Sequence, residues 1–242
     1  INVDGTRPGG GLGDYYILSL TYPGNLFRMT GGELNITGPT NKGLIYINSD
    51  PENTSVTGGT INVDISNNSN KYKITSRADF WNLNITRSIS TGTNVPVTIE
   101  TGSSGSSGKS TEITEIQPLI VRNNLSITGS NNPTLRMGDL TGQFADLYLY
   151  GNLTLEAGCI YDPSGNTTFF TGNSNSSLLF QGETKEFYNV VVNKATDTRF
   201  ANIQTTGAST AMRVQGNFTL SKGYFDNGKR HVEILGNIFN KS

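Results

Sequence analysis

The sequence is poor in charge, cysteine and helix-forming residues. Only 15% of its 242 residues are charged, and the formal net charge is −1. Such a weak field does not recruit nucleic acid or an anionic membrane surface, so neither is expected as a partner. The single cysteine, Cys159, excludes a disulfide framework within the chain. We expect it to be a small buried packing residue.

The groups that usually build active sites are also scarce. His231 is the only histidine, so a His-based triad or zinc site would need unusual partners. The acidic residues are scattered, and no catalytic or metal site is predicted. Asp146, Asp162 and Asp226 are interpreted as turn-forming residues. Calcium binding through loop oxygens remains possible, but the Gly-Gly-x-Gly-x-Asp repeat is missing and nothing in the sequence supports it. No cofactor is predicted.

Long apolar runs are missing as well. No stretch of about 18 consecutive apolar residues occurs, so no membrane span is predicted. Glycine, asparagine and threonine are abundant instead, with 29, 28 and 30 residues, against only 7 alanines. Threonine favours strands, glycine and asparagine favour turns, and alanine favours helices. The composition therefore predicts an all-β, turn-rich chain.

A Gly-Asn motif recurs with alternating apolar residues on both sides. Gly precedes Asn152, Asn217 and Asn237, while Asn123 takes its place before Asn124. Positions five and three before each Asn, and one and three after it, are apolar in 15 of 16 cases, Asn240 being the exception. Alternation predicts strands with one buried face. We interpret Gly-Asn as a corner that recurs once per coil, where Gly relaxes the backbone, Asn tolerates a left-handed conformation and the Asn amides stack as a ladder.

Two further motifs repeat. "DFWNLNITR" at 79–87 matches "EFYNVVVNK" at 186–194, which predicts turns at Asn82 and Asn189. "TGGELNITG" at 30–38 matches "TGGTINVDI" at 57–65, an offset of 27 residues. Repetition at offsets of 20, 27 and 28 residues, with variable loops between, is typical of a solenoid whose turns bury a common core.

These patterns predict one parallel β-helix domain over residues 1–242, with roughly ten coils of about 22 residues each. An antiparallel β-sandwich is the alternative fold. We expect a flexible N-terminal segment at 1–14, a loop insertion at 102–110, and a chain that is a piece of a longer protein. Stacking of Asn217 on Asn237 further predicts that Arg213 lies beside Glu233.

The compound pattern Phe-x-Asn-Leu-x-Ile, then apolar-x-Val-x-Gly-Asn-Leu-Thr-Leu-x-x-Gly, is carried by Phe80–Ile85, Leu149–Gly158, Phe187–Val192 and Val214–Gly223. It resembles the β-helical repeats of very large secreted surface proteins of Bacteroidota, including gliding-motility adhesins. The resemblance implies a parallel β-helix that is exported, by type IX secretion, to the bacterial cell surface. It also implies flanking domains in the same polypeptide.

Tyr148 and Tyr150 are the candidate ligand-binding residues. Leu147 and Leu149 take inward positions, so both tyrosines are expected to point outward on the same face, where phenol rings suit sugars or a partner protein. The function expected is a non-catalytic extracellular module of a bacterial adhesin or filament that binds glycan or a surface, or acts as a rigid spacer. The alternative is a polysaccharide lyase or glycoside hydrolase on a β-helix.

Overall fold

The computed structural model describes residues 2–4, 16–38, 43–68, 72–100, 113–139, 142–195, 199–206 and 210–241. These residues form 24 strands, and one 3-10 turn at Pro51–Asn53 precedes β5. The strands are β1 (Asn2–Asp4), β2 (Tyr16–Leu20), β3 (Phe27–Thr37), β4 (Gly43–Ile47), β5 (Thr54–Ile65), β6 (Lys73–Ser76), β7 (Asn82–Arg87), β8 (Val97–Ile99), β9 (Leu119–Val121), β10 (Leu125–Ile127), β11 (Thr134–Arg136), β12 (Leu147–Leu149), β13 (Leu153–Leu155), β14 (Ile160–Asp162), β15 (Thr167–Gly172), β16 (Ser176–Gln181), β17 (Lys185–Phe187), β18 (Asn189–Lys194), β19 (Arg199–Thr206), β20 (Thr210–Val214), β21 (Phe218–Lys222), β22 (Tyr224–Phe225), β23 (His231–Ile234) and β24 (Ile238–Asn240).

The strands form four parallel sheets, and each turn of the chain visits two or three of them. The first sheet has the order β1-β3-β5-β7-β10-β13-β16-β19-β22, and the second has β2-β4-β6-β8-β11-β14. The third sheet has the order β9-β12-β15-β18-β21-β24, and the fourth has β17-β20-β23. An all-β chain of many-stranded parallel sheets is consistent with a β-solenoid. A β-sandwich would need antiparallel ladders, and the strands of the described ranges form none.

The core lies between the sheets and is filled by the predicted inward positions. The four inward leucines around Asn152 have no exposed surface, and Phe80 and Phe187 are also buried. Short strands such as β9, β10, β12 and β13 each show the buried, half-buried, buried alternation that the sequence predicts. The last turn differs, because Ile238 is 67% exposed where no later described strand covers it.

The register between turns matches the sequence offsets. Leu34 pairs with Ile61 at 27 residues, Leu125 with Leu153 at 28, and Phe218 with Ile238 at 20. The predicted pairing of Arg213 with Glu233 is confirmed, and Arg213 Nε lies 2.6 Å from Glu233 Oε2. Repeats in the sequence therefore correspond to neighbours in space.

The Gly-Asn motif serves two different corners rather than one. Asn124 and Asn152 lead into β10 and β13 of the first sheet, whereas Asn217 and Asn237 lead into β21 and β24 of the third. The interpretation as a single corner recurring once per coil is therefore wrong. At both corners one strand ends and the next begins, and buried and outward residues alternate in the same way on either side. The two corners therefore share one sequence pattern.

The glycines of the motif are needed because the backbones of two turns approach each other closely there, and not because they adopt a positive φ. Neither Gly151 nor Gly236 is among the residues with positive φ, and neither is any corner asparagine. A Cβ on Gly151 would overlap the carbonyl oxygen of Asn123, and one on Gly236 would overlap that of Gly216. The prediction that the corner residues adopt a left-handed conformation is therefore wrong. Glycine is needed because the backbone of the neighbouring turn occupies the space that a Cβ would fill.

The two predicted irregular segments lie largely outside the described residues. Of the N-terminal segment at 1–14, only Asn2–Asp4 lie within the described residues, where they form β1 and pair with β3. The insertion at 102–110 lies outside the described ranges altogether. Just after it, Ile113 is fully buried and its N–H donates to Tyr46 Oη at 3.0 Å, so the chain here lies against β4 of the second sheet. Among the described residues, no helix has the length and apolarity to cross a membrane.

We predict that Gly151→Ala lowers the free energy of unfolding by about 1–3 kcal/mol, because the added methyl forces two turns apart. Gly24→Ala is the matched control, since no heavy atom lies within 4 Å of the position that an added Cβ would take there. It should change the stability by less than about 1 kcal/mol. Urea unfolding followed by circular dichroism measures both values, and equal effects would contradict the close-approach explanation.

Candidate functional site: the outer face of the third sheet

The outer face of the third sheet carries a row of apolar side chains across successive turns. Strand pairing places one such residue of β9, β12, β15 and β18 beside the next, and each is half-buried. We call these four residues the apolar row: Ile120, Tyr148, Phe169 and Val191. The row includes one of the two predicted ligand-binding tyrosines.

Tyr148 is stacked on Phe169 of the following turn. Their ring centroids lie 4.4 Å apart and the ring planes differ by 2°. The stack covers one face of each ring, and burial raises the pKa of Tyr148, with smaller contributions from the charges of Asp146 and Tyr150. The phenol is therefore already engaged within the sheet face.

Tyr150 lies on the same outer face but closer to the corner. The guanidinium carbon of Arg122, from the preceding turn, is 4.5 Å from the centre of the Tyr150 ring. Arg122 also forms an ion pair with Asp79. On the side of the following turn, a Cβ on Gly172 would lie 3.0 Å from Tyr150 Cδ1, so this glycine approaches the ring closely. Neighbouring turns thus flank the ring on both sides.

The two tyrosines are consequently placed together on one face, as expected, but neither ring is a free platform. A sugar stacking on Tyr148 would have to displace or extend the Phe169 contact, and one stacking on Tyr150 would compete with Arg122. What the face offers to a ligand is ring edges, a guanidinium group and the apolar row.

A buried lysine supports this face from beneath. Lys194 is 1% exposed, and its Nζ donates to Tyr150 O at 3.0 Å, Ser174 O at 3.1 Å and Ser176 Oγ at 2.5 Å. Burial lowers the pKa of Lys194 to about 8 despite these three acceptors. The ammonium group thus links the Tyr150 carbonyl of one turn to Ser174 and Ser176 at this corner.

The aspartates singled out in the sequence are structural acceptors. Each accepts a hydrogen bond from a main-chain N–H: Asp146 from Thr167, Asp162 from Ser164, and Asp226 from Gly228. Asp162 also forms an ion pair with Arg136 of the preceding turn. Two of the three bonds span two residues along the chain, which is the geometry of turn-forming aspartates.

Cys159 and His231 lie apart from this face. Cys159 is buried, as predicted, and burial raises the pKa of its thiol to about 11, so the thiol is protonated at neutral pH. His231 begins β23 and is exposed, as predicted. In the part of the chain that the structure describes, no three His, Cys, Asp or Glu side chains are grouped to hold a metal ion.

The six corner asparagines form two hydrogen-bonded ladders. At the first corner, Asn124 N–H donates to Asn82 Oδ1 at 3.2 Å and Asn152 Nδ2 donates to Asn124 Oδ1 at 2.9 Å. At the second corner, Asn217 N–H donates to Asn189 Oδ1 at 2.8 Å and Asn237 N–H donates to Asn217 Oδ1 at 3.1 Å. Every corner asparagine before the last described turn thus accepts a hydrogen bond from the next turn.

Comparison of the chain with protein-family models, with curated proteins and with solved structures found no match. The site therefore rests on its own geometry. Sequence reasoning missed Phe169 and Arg122, the partners of the two tyrosines. The alternation in "TTFFTG" marks Phe169 as an outward residue, but only the register between turns reveals that it lies beside Tyr148.

We predict that Tyr148 and Phe169 are energetically coupled by about 0.5–1.5 kcal/mol, because their rings stack. A double-mutant cycle of Tyr148→Ala and Phe169→Ala, measured by urea unfolding, gives the coupling. The outward, non-aromatic pair Thr154 and Leu179 of the first sheet is the control cycle. Additive effects in both cycles would refute the stack as a stabilising contact.

We also predict that Lys194 makes stability depend on pH between about 8 and its ordinary pKa of 10.5. Below pH 8 the folded protein bears the cost of a buried ammonium. As pH rises towards 10.5, the folded state releases this proton while the unfolded state still holds it. The free energy of unfolding of the unmodified chain therefore rises relative to that of the Lys194→Met variant. Denaturant unfolding at several pH values measures the difference.

Lys222→Met is the control for this experiment, because Lys222 is an exposed lysine of β21. The free energy of unfolding of this variant should change with pH in parallel with that of the unmodified chain. Parallel profiles for Lys194→Met as well would contradict the prediction.

Proposed function

We propose that the chain is a non-catalytic extracellular module of a bacterial cell-surface adhesin or filament. In this proposal it is a β-solenoid of roughly ten coils that serves as a rigid spacer and presents its outer faces to glycan or surface ligands. The observation that carries the proposal is the set of side-chain rows that connect each turn to the next along the solenoid axis.

The outer face of the first sheet supports this with a ladder of its own. Asn62 Nδ2 donates to Asn35 Oδ1 at 2.6 Å, Asn84 Nδ2 donates to Asn62 Oδ1 at 3.3 Å, and Ser126 Oγ donates to Asn84 Oδ1 at 2.9 Å. Together with the two corner ladders, hydrogen-bonded rows run along three lines of the solenoid. Side-chain rows of this kind resist bending and sliding between turns, which suits a spacer.

Ion pairs between turns add to these rows. Arg213 lies between Glu186 of the preceding turn and Glu233 of the following one, with N–O distances of 2.8 and 2.6 Å. Arg77–Asp50 and Arg136–Asp162 also link neighbouring turns, at 3.2 and 2.7 Å. These exposed pairs contribute little stability each. They do engage carboxylates that a glycosidase or lyase would need in a proton-transfer pair, which favours the module over the enzyme.

The apolar row and Tyr150 are the best candidates for ligand contact under this proposal. These five side chains present ring edges and aliphatic surface, and the Arg122 guanidinium lies beside them. Such a mixture suits a glycan, whose rings are apolar on one side and polar at the edge.

The proposal is tested with the purified chain on a broad glycan array, with and without calcium, beside the double variant Tyr148→Ala/Tyr150→Ala. We expect saturable binding that the double variant loses. A variant of the first sheet's outer face, Thr154→Ala/Leu179→Ala, is the matched control and should bind as the unmodified chain does. The bound glycans are then incubated with the chain and assayed for new reducing ends and for unsaturated sugars.

Cleavage products would contradict the non-catalytic proposal and favour the enzyme. Binding that both double variants retain would remove the third sheet as the contact surface. No binding to any glycan would leave the spacer role and contradict the glycan-binding part of the proposal.

A further inference from the structure

The turn that joins β22 to β23 contains the only Asn-Gly dipeptide of the sequence, Asn227–Gly228. The Gly228 N–H donates to Asp226 Oδ1 at 2.9 Å, and the Lys229 N–H donates to Asn227 Oδ1 at 3.2 Å. Asn227 Nδ2 donates to Arg230 O at 2.9 Å. The Asn227 side chain is exposed, so water reaches it.

We propose that this turn is a site of self-modification, in which Asp226 assists the conversion of Asn227 to aspartate and isoaspartate. The reaction needs only water and the groups of the turn. It is independent of the proposed surface function and concerns a region remote from the apolar row in sequence.

The chemistry has two steps. The main-chain nitrogen of Gly228 loses its proton and attacks Cγ of Asn227, forming a C–N bond that closes a five-membered succinimide ring. The bond from Cγ to Nδ2 breaks, and Nδ2 takes up the proton and leaves as ammonia. Water then adds to either carbonyl of the ring and opens it, giving aspartate or isoaspartate. The sum is asparagine plus water giving a carboxylate product plus ammonia, with no change in oxidation state.

The contacts of the turn match the needs of the first step. The Asp226 carboxylate already accepts the Gly228 N–H proton, which is the position of a general base on the nucleophile. The Lys229 N–H points at Asn227 Oδ1, where negative charge develops when Cγ becomes tetrahedral. Gly228 has no Cβ, so no side chain of its own crowds the attacking nitrogen. Base, nucleophile and oxyanion donor therefore lie within four consecutive residues.

The product changes a defined surface. Asp226, Asn227 and Arg230 line an open cavity of about 340 Å³ with Tyr224 and Phe225 at the last described turns. A new carboxylate at position 227 adds negative charge beside Arg230 and His231, which line the same cavity. Isoaspartate also lengthens the backbone of the turn by one methylene group.

The test compares the same chain folded and unfolded. The purified protein is incubated at neutral pH and 37 °C in buffer and in concentrated urea, and peptide mapping by mass spectrometry follows the mass gain at Asn227. We expect conversion at least about tenfold faster in the folded chain, a threshold set below the roughly hundredfold or more that a positioned general base contributes. The Asn173–Ser174 and Asn175–Ser176 pairs are internal controls and should convert more slowly than Asn227 in the folded chain.

Two variants assign the roles. Asp226→Asn should slow the folded-state reaction about tenfold or more and leave the urea-state rate within about twofold, because the amide is no base. Asn227→Gln should abolish the mass gain. A folded-state rate equal to or below the unfolded rate would show that the turn protects Asn227 and would overturn the proposal. An unchanged rate in Asp226→Asn would overturn it equally.

Discussion

The burial of in-register apolar side chains between successive turns is the interaction on which the rest of this structure depends. Leu83, Leu125, Leu153 and Leu178 come from four consecutive strands of the first sheet, pair with one another, and are fully buried. Each buried leucine contributes roughly 1.5–3 kcal/mol relative to an exposed one. A single turn cannot bury its inward face alone, so much of the stability of each turn comes from its neighbours.

The outer faces inherit their order from this core. Once the inward residues are aligned, every outward residue lies beside the same position of the next turn. Asparagine then meets asparagine on the first sheet, Tyr148 meets Phe169 on the third, and Arg213 meets Glu233 on the fourth. The rows are therefore a consequence of the register, and they in turn oppose any slip of one turn against another.

The sequence predicted those features that depend on period alone. The inward positions of Leu147 and Leu149 follow from alternation, and the stacking of Asn124 on Asn152 follows from a repeat offset. The identity of the corner did not follow, because the corners at Asn152 and Asn217 impose the same alternation on their flanks. The partners of Tyr148 and Tyr150 were also missed, since the loops between turns vary in length and only the folded register brings Arg122 to Tyr150.

Use of one motif at two corners has a consequence for how such chains can change by recombination. A crossover between the segment at Gly151–Asn152 and that at Gly216–Asn217 would preserve the inward alternation and the local turn. It would nevertheless join a strand that leads into the first sheet to a continuation that belongs in the third. Every loop after the crossover would then emerge from a different side of the molecule. The exchange would thus change which residues form the surface, while the pattern of inward apolar residues stayed the same.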